Sequence, residues 1–164
     1  MVDFFHTQWI TCQELSSERF GIIDNGELAY VITDTNDDEW DAIVSNPDGK
    51  HLQFIPVDHN IIVVENGDER SMCDGMLYTL THDYVAFIEI KDKVSSWMEE
   101  AIEQLSSTIE VFLDNHGDQA KGNRFAYACN PRHPRFAYSK KQRMQEFYNK
   151  YGFRLRVQQE IVVK

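Results

Sequence analysis

Apolar side chains recur every three to four residues over positions 97–112, which is the spacing of one buried helix face. The members of this stripe are Trp97, Ala101, Leu105, Ile109 and Phe112. Ser95 or Ser96 is placed to cap the first turn, so the pattern predicts a helix from there to about Asp114. A second helix is predicted over residues 140–151, because Gly152 would end it.

The apolar runs of the N-terminal part are short and bounded by turn-forming residues, which is typical of strands. Residues 21–32 are predicted as a hairpin around Asn25-Gly26. Residues 40–44 and 51–57 flank a turn signal at positions 46–49, which predicts a second hairpin. Ahead of both hairpins the chain carries a faint helical pattern, and a further short strand is predicted after them, at positions 61–64.

Two neighbouring apolar runs are interrupted by charge. Residues 72–78 contain Asp74, and residues 84–91 contain Glu89 and Lys91. A buried charge is costly unless it is paired or binds a cation, so these three side chains need an explanation. An Asp followed fifteen residues later by Glu-x-Lys, on two adjacent strands, indicates a divalent-metal site for phosphodiester hydrolysis.

The order of elements predicts the fold class. From residue 50 onward the pattern gives strand, strand, strand, helix, strand, helix, strand, with the last two strands at 124–129 and 153–163. A strand–helix–strand unit usually joins parallel strands, whereas short turns join antiparallel ones. We therefore expect an α/β protein with a mixed β-sheet and flanking helices, preceded by a short helix at 8–20 and an N-terminal β-hairpin extension.

Composition is compatible with one domain of 164 residues, divided into an extension at 1–49, a core at 50–130 and a basic helix and strand at 131–164. No apolar stretch approaches the roughly 20 residues of a membrane span, so no membrane partner is expected. The three cysteines are widely spaced, which predicts neither a disulfide framework nor a CxxC zinc site. A reduced, cytoplasmic setting is the simplest interpretation.

The charge of the chain is divided unevenly. Residues 1–120 contain 25 acidic and 5 basic residues, whereas residues 121–164 contain 2 acidic and 11 basic ones, for a net charge of −11. The basic part could contact a polyanion, pair with the acidic face of another copy, or pack against the acidic body of its own chain. The acidic total counts against tight, unaided binding of nucleic acid.

Asp74, the Glu89-Ile90-Lys91 triplet and the following helix with Gln104 resemble the PD-(D/E)xK nuclease superfamily, which includes restriction endonucleases and Holliday-junction resolvases. The resemblance covers roughly residues 50–130 and implies a restriction-endonuclease-like αβββαβ core, in agreement with the order of elements. In this chain Cys73 stands where proline is common in the family.

The metal chemistry assigns a role to each residue of this group. Asp74 and Glu89 would hold Mg²⁺ or Mn²⁺ through carboxylate oxygens, with the Ile90 carbonyl as a neutral ligand. Lys91 lies two positions after Glu89 and so on the same strand face, where it would orient the attacking water. The resemblance implies that Gln104 touches substrate or water.

The family often has one more acidic residue on an early helix. The residues that could supply this extra carboxylate are Glu14, Glu18 and Asp58. Contacts to the DNA backbone are assigned to basic residues near the C-terminus, namely Arg132, Arg135, Lys140, Lys141 and Arg143.

Alternative interpretations stay open at this point. Glu89 and Lys91 could form a simple ion pair, Asp74 with Gly75 could make a turn, and Gln104 could be a solvated helix residue. The leading hypothesis is a DNA nuclease, working alone, as a homodimer or with a protein partner. Its rival is a catalytically inactive interaction or regulatory subunit with the same fold and an acidic surface.

Overall fold

A computed structural model describes residues 2–11, 14–34, 36–117, 123–133 and 141–164, and within these ranges it shows an α/β protein with two helices and mixed β-sheets. The strands are β1 (Arg19–Ile23), β2 (Tyr30–Ile32), β3 (Ala42–Ser45), β4 (Leu52–Pro56), β5 (Val64–Glu65), β6 (Asp68–Glu69), β7 (Gly75–Thr79), β8 (Tyr84–Ile90), β9 (Asn123–Cys129), β10 (Arg154–Val157) and β11 (Glu160–Val162). The helices are α1 (Trp97–His116) and α2 (Lys141–Tyr151).

The central sheet has five strands in the order β10-β9-β8-β7-β4. Strands β4, β7 and β8 are antiparallel to one another, whereas β8, β9 and β10 are parallel. The connection from β8 through α1 to β9 is the parallel crossover that the sequence predicted. Since β8 and β9 are parallel and β7 runs the other way, the last residues of β8 and β9 lie beside the first residues of β7, at the same end of the sheet.

A second sheet has four strands in the order β11-β3-β1-β2. The predicted hairpin of β1 and β2 is present, but the second predicted hairpin is wrong, because β3 pairs with β1 while β4 pairs with β7. The predicted last strand is also two strands: β10 extends the central sheet and β11 runs parallel to β3 in the second sheet. Turn residues showed where the chain reverses, but they do not decide which strand becomes the partner.

The predicted helix at 8–20 is absent from the described part of that segment. Thr7–Trp9 forms a single 3₁₀ turn, and the chain enters β1 at Arg19. The predicted strand at 61–64 is reduced to β5, which forms a two-residue pairing with β6. The side-chain amide of Asn60 donates a 2.9 Å hydrogen bond to the Trp9 carbonyl, so this N-terminal segment is fixed by tertiary contacts rather than by helical ones.

The central sheet is covered on both faces. Side chains of β8 alternate, so that Val85 and Phe87 pack toward α1 and α2, while Ala86 and Ile88 pack toward the second sheet. All seven residues of β8 are consequently buried. This explains why the strand is a nearly continuous apolar run in the sequence, and why the charge of Glu89 within it is informative.

Helix α1 begins where it was predicted, with Ser96 at the N-cap position. Ser96 is in the left-handed region with a φ of 56°, and its side chain makes no capping hydrogen bond. The first turn instead contains Glu99 and Glu100, whose charge favours a helix N-terminus. Neither helix of the described ranges is both long and apolar enough to cross a membrane.

Candidate active site

Asp74 and Glu89 face each other across two neighbouring strands. Gly75 pairs with Ile88, so the next step of the antiparallel register places Asp74 opposite Glu89. Residues directly opposite in such a ladder project from the same face. For this pair it is the face that also carries Phe87 and is covered by α1.

The position of Asp74 is held by the backbone on both sides. Its Oδ2 accepts a 2.7 Å hydrogen bond from the backbone N–H of Ile90. The N–H of Cys73, one residue earlier, donates a 2.7 Å hydrogen bond to Oγ1 of Thr108 on α1. The carboxyl group is therefore fixed between the end of β8 and the helix.

Gly75 belongs to a strand and not to a turn. It pairs with both Pro56 and Ile88, so the alternative in which Asp74 and Gly75 form a turn is wrong. A side chain here would collide with the buried ring of Phe54, since a Cβ atom would lie 2.4 Å from its Cε2. The glycine thus lets the chain pass close to the core immediately before the carboxyl group.

Burial raises the pKa of both carboxyl groups, to different extents. Asp74 is 9% exposed and Glu89 is 1% exposed. Desolvation, with the Asp74 charge beside it, raises the pKa of Glu89 to about 10, and desolvation raises the pKa of Asp74 to about 6. At neutral pH Glu89 is consequently a neutral acid and Asp74 a carboxylate. Glu89 Oε1 is buried without a hydrogen-bond partner.

Lys91 and Gln104 complete the cluster. The Lys91 ammonium lies 3.1 Å from Glu89 Oε2 and donates to Oε1 of Gln104. Its side chain is 20% exposed, so it is neither sealed in the core nor turned into bulk solvent. The Glu89–Lys91 contact considered from the sequence as an ion pair is present, but with Glu89 neutral it is a hydrogen bond from the ammonium, and it is part of a larger group. Gln104 is half-buried and touches Lys91, so it is not a freely solvated helix residue.

Two further acidic residues influence the pair from outside. Asp58 lies beside the chain that enters β7, because its N–H donates a 3.0 Å hydrogen bond to the Cys73 carbonyl, and its carboxylate is 3.3 Å from His59. After the dominant effect of desolvation, the charges of Asp24 and Asp58 also raise the pKa of Asp74. Asp24 was missed, because the sequence places it in the turn of the first hairpin.

The early acidic residues do not approach the site. Glu14 contacts His51, at the end of β4 opposite to the end near Asp74. Glu18 precedes β1, whose other end leads to Asp24. Among the early acidic residues, it is Asp24 whose charge acts on Asp74. The signal that could have found it is a carboxylate immediately after a buried strand.

A metal site of three acidic, histidine or cysteine ligands is not formed within the described ranges. Asp58 is thus a neighbour of the pair rather than a member of a ready-made cage. The groups that could contribute to cation binding are the carboxyl oxygens of Asp74 and Glu89, together with the Ile90 carbonyl. Two carboxylates with water and substrate oxygens are a common Mg²⁺ environment.

Some of the basic residues predicted to contact DNA lie at the same end of the sheet as Asp74 and Glu89. The loop after β9 is held there by a 2.8 Å hydrogen bond from the Asn130 side chain to the Lys93 carbonyl, and Arg132 in this loop forms a 2.6 Å ion pair with Asp92. Arg143 lies 3.6 Å from Glu99. Lys141 is exposed at the start of α2. The other two residues predicted as DNA contacts, Arg135 and Lys140, are outside the described residues.

The sulfur chemistry of the region is passive. Cys73 and Cys129 are free and buried, and burial raises the pKa of both thiols, so neither is a reactive thiolate.

In comparisons with known proteins, no family model matches the chain, and no curated protein or solved structure is significantly similar to it.

Proposed function

We propose that the protein is a Mg²⁺- or Mn²⁺-dependent nuclease that hydrolyses DNA phosphodiester bonds through a restriction-endonuclease-like core. The observation that carries this proposal is that Asp74, Glu89, Lys91 and Gln104 lie together at one end of the central sheet, where β8 ends and β7 begins. The order β4, β7, β8, α1, β9 supports it, because it corresponds to the βββαβ part of that core.

The donor set suits a small, hard cation. Asp74 and Glu89 offer carboxyl oxygens, and the orphaned Oε1 of Glu89 is a buried acceptor that a cation would satisfy. When bound, Mg²⁺ or Mn²⁺ would supply the charge that offsets the phosphate and acidifies water. Since Glu89 is protonated at neutral pH, the loss of its proton is the chemical change that readies this site.

Lys91 has the geometry of a positioning and charge-stabilising group. Gln104 and Glu89 hold its ammonium from two sides, which fixes the direction of its one remaining N–H donor. Such a donor could orient water or stabilise negative charge that develops on a phosphate oxygen. Gln104 would act through Lys91.

DNA binding would require two arginines near the site to leave their carboxylate partners. Arg132 and Arg143 already have the carboxylate partners Asp92 and Glu99. A DNA phosphate would have to replace these partners, whereas exposed Lys141 could approach it directly. Because such exposed ion pairs are weak, the exchange costs little. Arg135 and Lys140 remain part of the proposed backbone contacts.

Cleavage of plasmid and end-labelled oligonucleotides in Mn²⁺ or Mg²⁺ tests the proposal. We expect Lys91→Ala to lower the cleavage rate by about 10²–10³-fold, as the loss of a charge-stabilising donor does in other active sites. The matched control is Lys93→Ala, which removes the same charge from an exposed residue paired with Glu100 and should leave cleavage nearly unchanged.

Undiminished cleavage by Lys91→Ala would remove Lys91 from the mechanism. Failure of the wild-type chain to cut single-stranded or double-stranded substrates with either cation would instead favour the interaction-subunit alternative.

A further inference from the structure

The edge strand β10 carries two arginines between two clefts. Arg154 and Arg156 are two positions apart and lie beside Phe125 and Tyr127 of β9. Both arginines line a cleft of about 500 Å³ formed with α2, and both also line a cleft of about 380 Å³ on the other side of the strand. The two guanidinium groups thus border both concave surfaces at this edge.

Several other arginines that the structure describes have carboxylate partners. Arg19, Arg70 and Arg132 each form an ion pair of 2.6–2.9 Å. No ion pair within the described ranges includes Arg154 or Arg156. In a chain of net charge −11 such unneutralised cations are notable, because acidic partners are abundant elsewhere.

Aromatic rings accompany the two guanidinium groups. Arg154 lies 5.8 Å from the ring centroids of both Phe125 and Tyr148, and Arg156 lies 5.6 Å from that of Phe125. Tyr148 is 44% exposed at the α2 side of the strand. Exposed aromatic rings beside cationic groups are the usual platform for unpaired bases and their phosphates.

We propose that this β10 edge binds single-stranded nucleic acid. The arginines supply charge for phosphates, and Tyr148 supplies a ring on which a base can stack. A single strand fits better than a duplex because the cations line clefts beside aromatic rings, and stacking on a ring requires an unpaired base. The inference deepens the proposed nuclease function by naming the form of substrate that would reach Glu89.

The β10 edge is close enough to the candidate active site to serve the same strand. Glu89 pairs with Ala128, and Ala128 pairs with Val157, so Arg156 is one residue before the row that contains Glu89 and projects from the opposite face of the sheet. Two strand spacings separate β8 from β10, about 10 Å. Lys141, at the start of α2, lines the same cleft as Tyr148. A strand that serves both regions would therefore run along the α2 side, past Lys141 and Tyr148, where the two arginines also line the cleft.

Fluorescence anisotropy with a labelled oligo-dT of about 15 nucleotides tests the inference in EDTA, where metal-dependent cleavage cannot occur. We expect the wild-type chain to bind this oligonucleotide more tightly than a duplex of equal length. Arg154→Gln with Arg156→Gln should weaken binding at least tenfold and lower the salt slope of log K by about 1.4, about 0.7 for each lost phosphate contact.

Tyr148→Ala gives a second measurement that does not depend on the arginines. Its ring is exposed, so the variant should fold, and we expect at least a fivefold loss of oligo-dT affinity. The control Arg19→Gln removes one positive charge from a residue paired with Asp37 and should bind oligo-dT as the wild type does.

Three results would overturn the inference: equal affinity for the duplex, no binding by the wild-type chain, or unchanged binding by both the arginine and the Tyr148 variants. A loss of self-association in the arginine variant, with no effect on oligo-dT binding, would assign the edge to a second copy of the chain. Because binding is measured without metal, failure of cleavage leaves this result intact, and failure of binding leaves the cleavage test intact.

Discussion

Glu89 is the residue in which burial and charge conflict most strongly. Its raised pKa of about 10 means that the folded protein binds a proton which the unfolded chain releases near pH 4.5. The folded state therefore binds more protons than the unfolded state between these two pH values. Stability must fall as the pH rises through that window, and Asp74 adds to the fall between about pH 4 and 6.

Glu89→Gln removes this conflict while keeping the shape of the side chain. We expect the variant to be more stable than the wild type at pH 8–9 in EDTA, by about 1–3 kcal/mol, and its stability to depend less on pH. Urea unfolding at several pH values measures both effects. Glu27→Gln, at an exposed position, is the control and should follow the wild-type pH profile. A parallel pH dependence of Glu89→Gln and the wild type would contradict the assigned protonation state.

At the scale of elements, α1 and the segment that leads into β7 are joined by hydroxyl groups. Thr108 Oγ1 accepts the Cys73 N–H and donates to the Gln104 carbonyl, and Ser107 donates to the Ser71 carbonyl. The first contact is buried and lies one residue from Asp74, whereas the second is exposed. The helix thus fixes the strand entry as well as covering the sheet.

Thr108→Val tests how much the buried hydrogen bond between Cys73 and Thr108 contributes to stability. The variant keeps the side-chain shape but leaves the Cys73 N–H without its acceptor, which costs about 1–3 kcal/mol of unfolding free energy. Chemical denaturation measures this loss, and cleavage should fall as Asp74 becomes less fixed. Ser107→Ala, which removes a half-buried hydroxyl that contacts the Ser71 carbonyl and Arg70, is expected to cost less, because water can reach these partners. Equal losses in both variants would show that the buried contact has no special weight.

The sequence predicted the elements that surround the cluster because their patterns are local. The stripe of α1 and the two apolar runs with Asp74 and Glu89 are visible in the order of residues alone. The pairing of β3 with β11 was not visible, because it joins segments more than a hundred residues apart. Asp24 was hidden for the same reason, since only the tertiary packing of β1 brings its charge near Asp74.

At the scale of the whole molecule, the two sheets share one buried layer. Residues of β1 and β3 pack against Leu77, Ala86 and Ile88 of the central sheet. The chain passes from β10 to β11 through only two residues, so the end of the chain belongs to both sheets. A change in free energy at the Asp74–Glu89 pair should therefore alter the stability of the whole fold.

Cation binding should raise the unfolding temperature of the entire protein in one transition. A cation at 100 times its Kd adds about 2.7 kcal/mol, which corresponds to an increase in Tm of about 5–10 °C for a chain of this size. The increase should be larger at pH 8 than at pH 6, because cation binding displaces the Glu89 proton. Calorimetry with Mg²⁺ or Mn²⁺ measures this.

Glu89→Gln is the comparison for the cation experiment, since it removes one charged ligand, and it should show little change in Tm on addition of either cation. Two separate transitions would contradict the shared layer. An unchanged Tm for the wild type in saturating cation would contradict the metal site.

The parallel pairing of β11 with β3 has a consequence for biosynthesis. Strand β3 is made more than a hundred residues before its neighbour β11. On the ribosome, the four-stranded sheet would lack this partner until β11 has been made and has left the exit tunnel. A nascent chain would therefore display an open β3 edge while the residues between the two strands are made, and chaperones could engage it during that time.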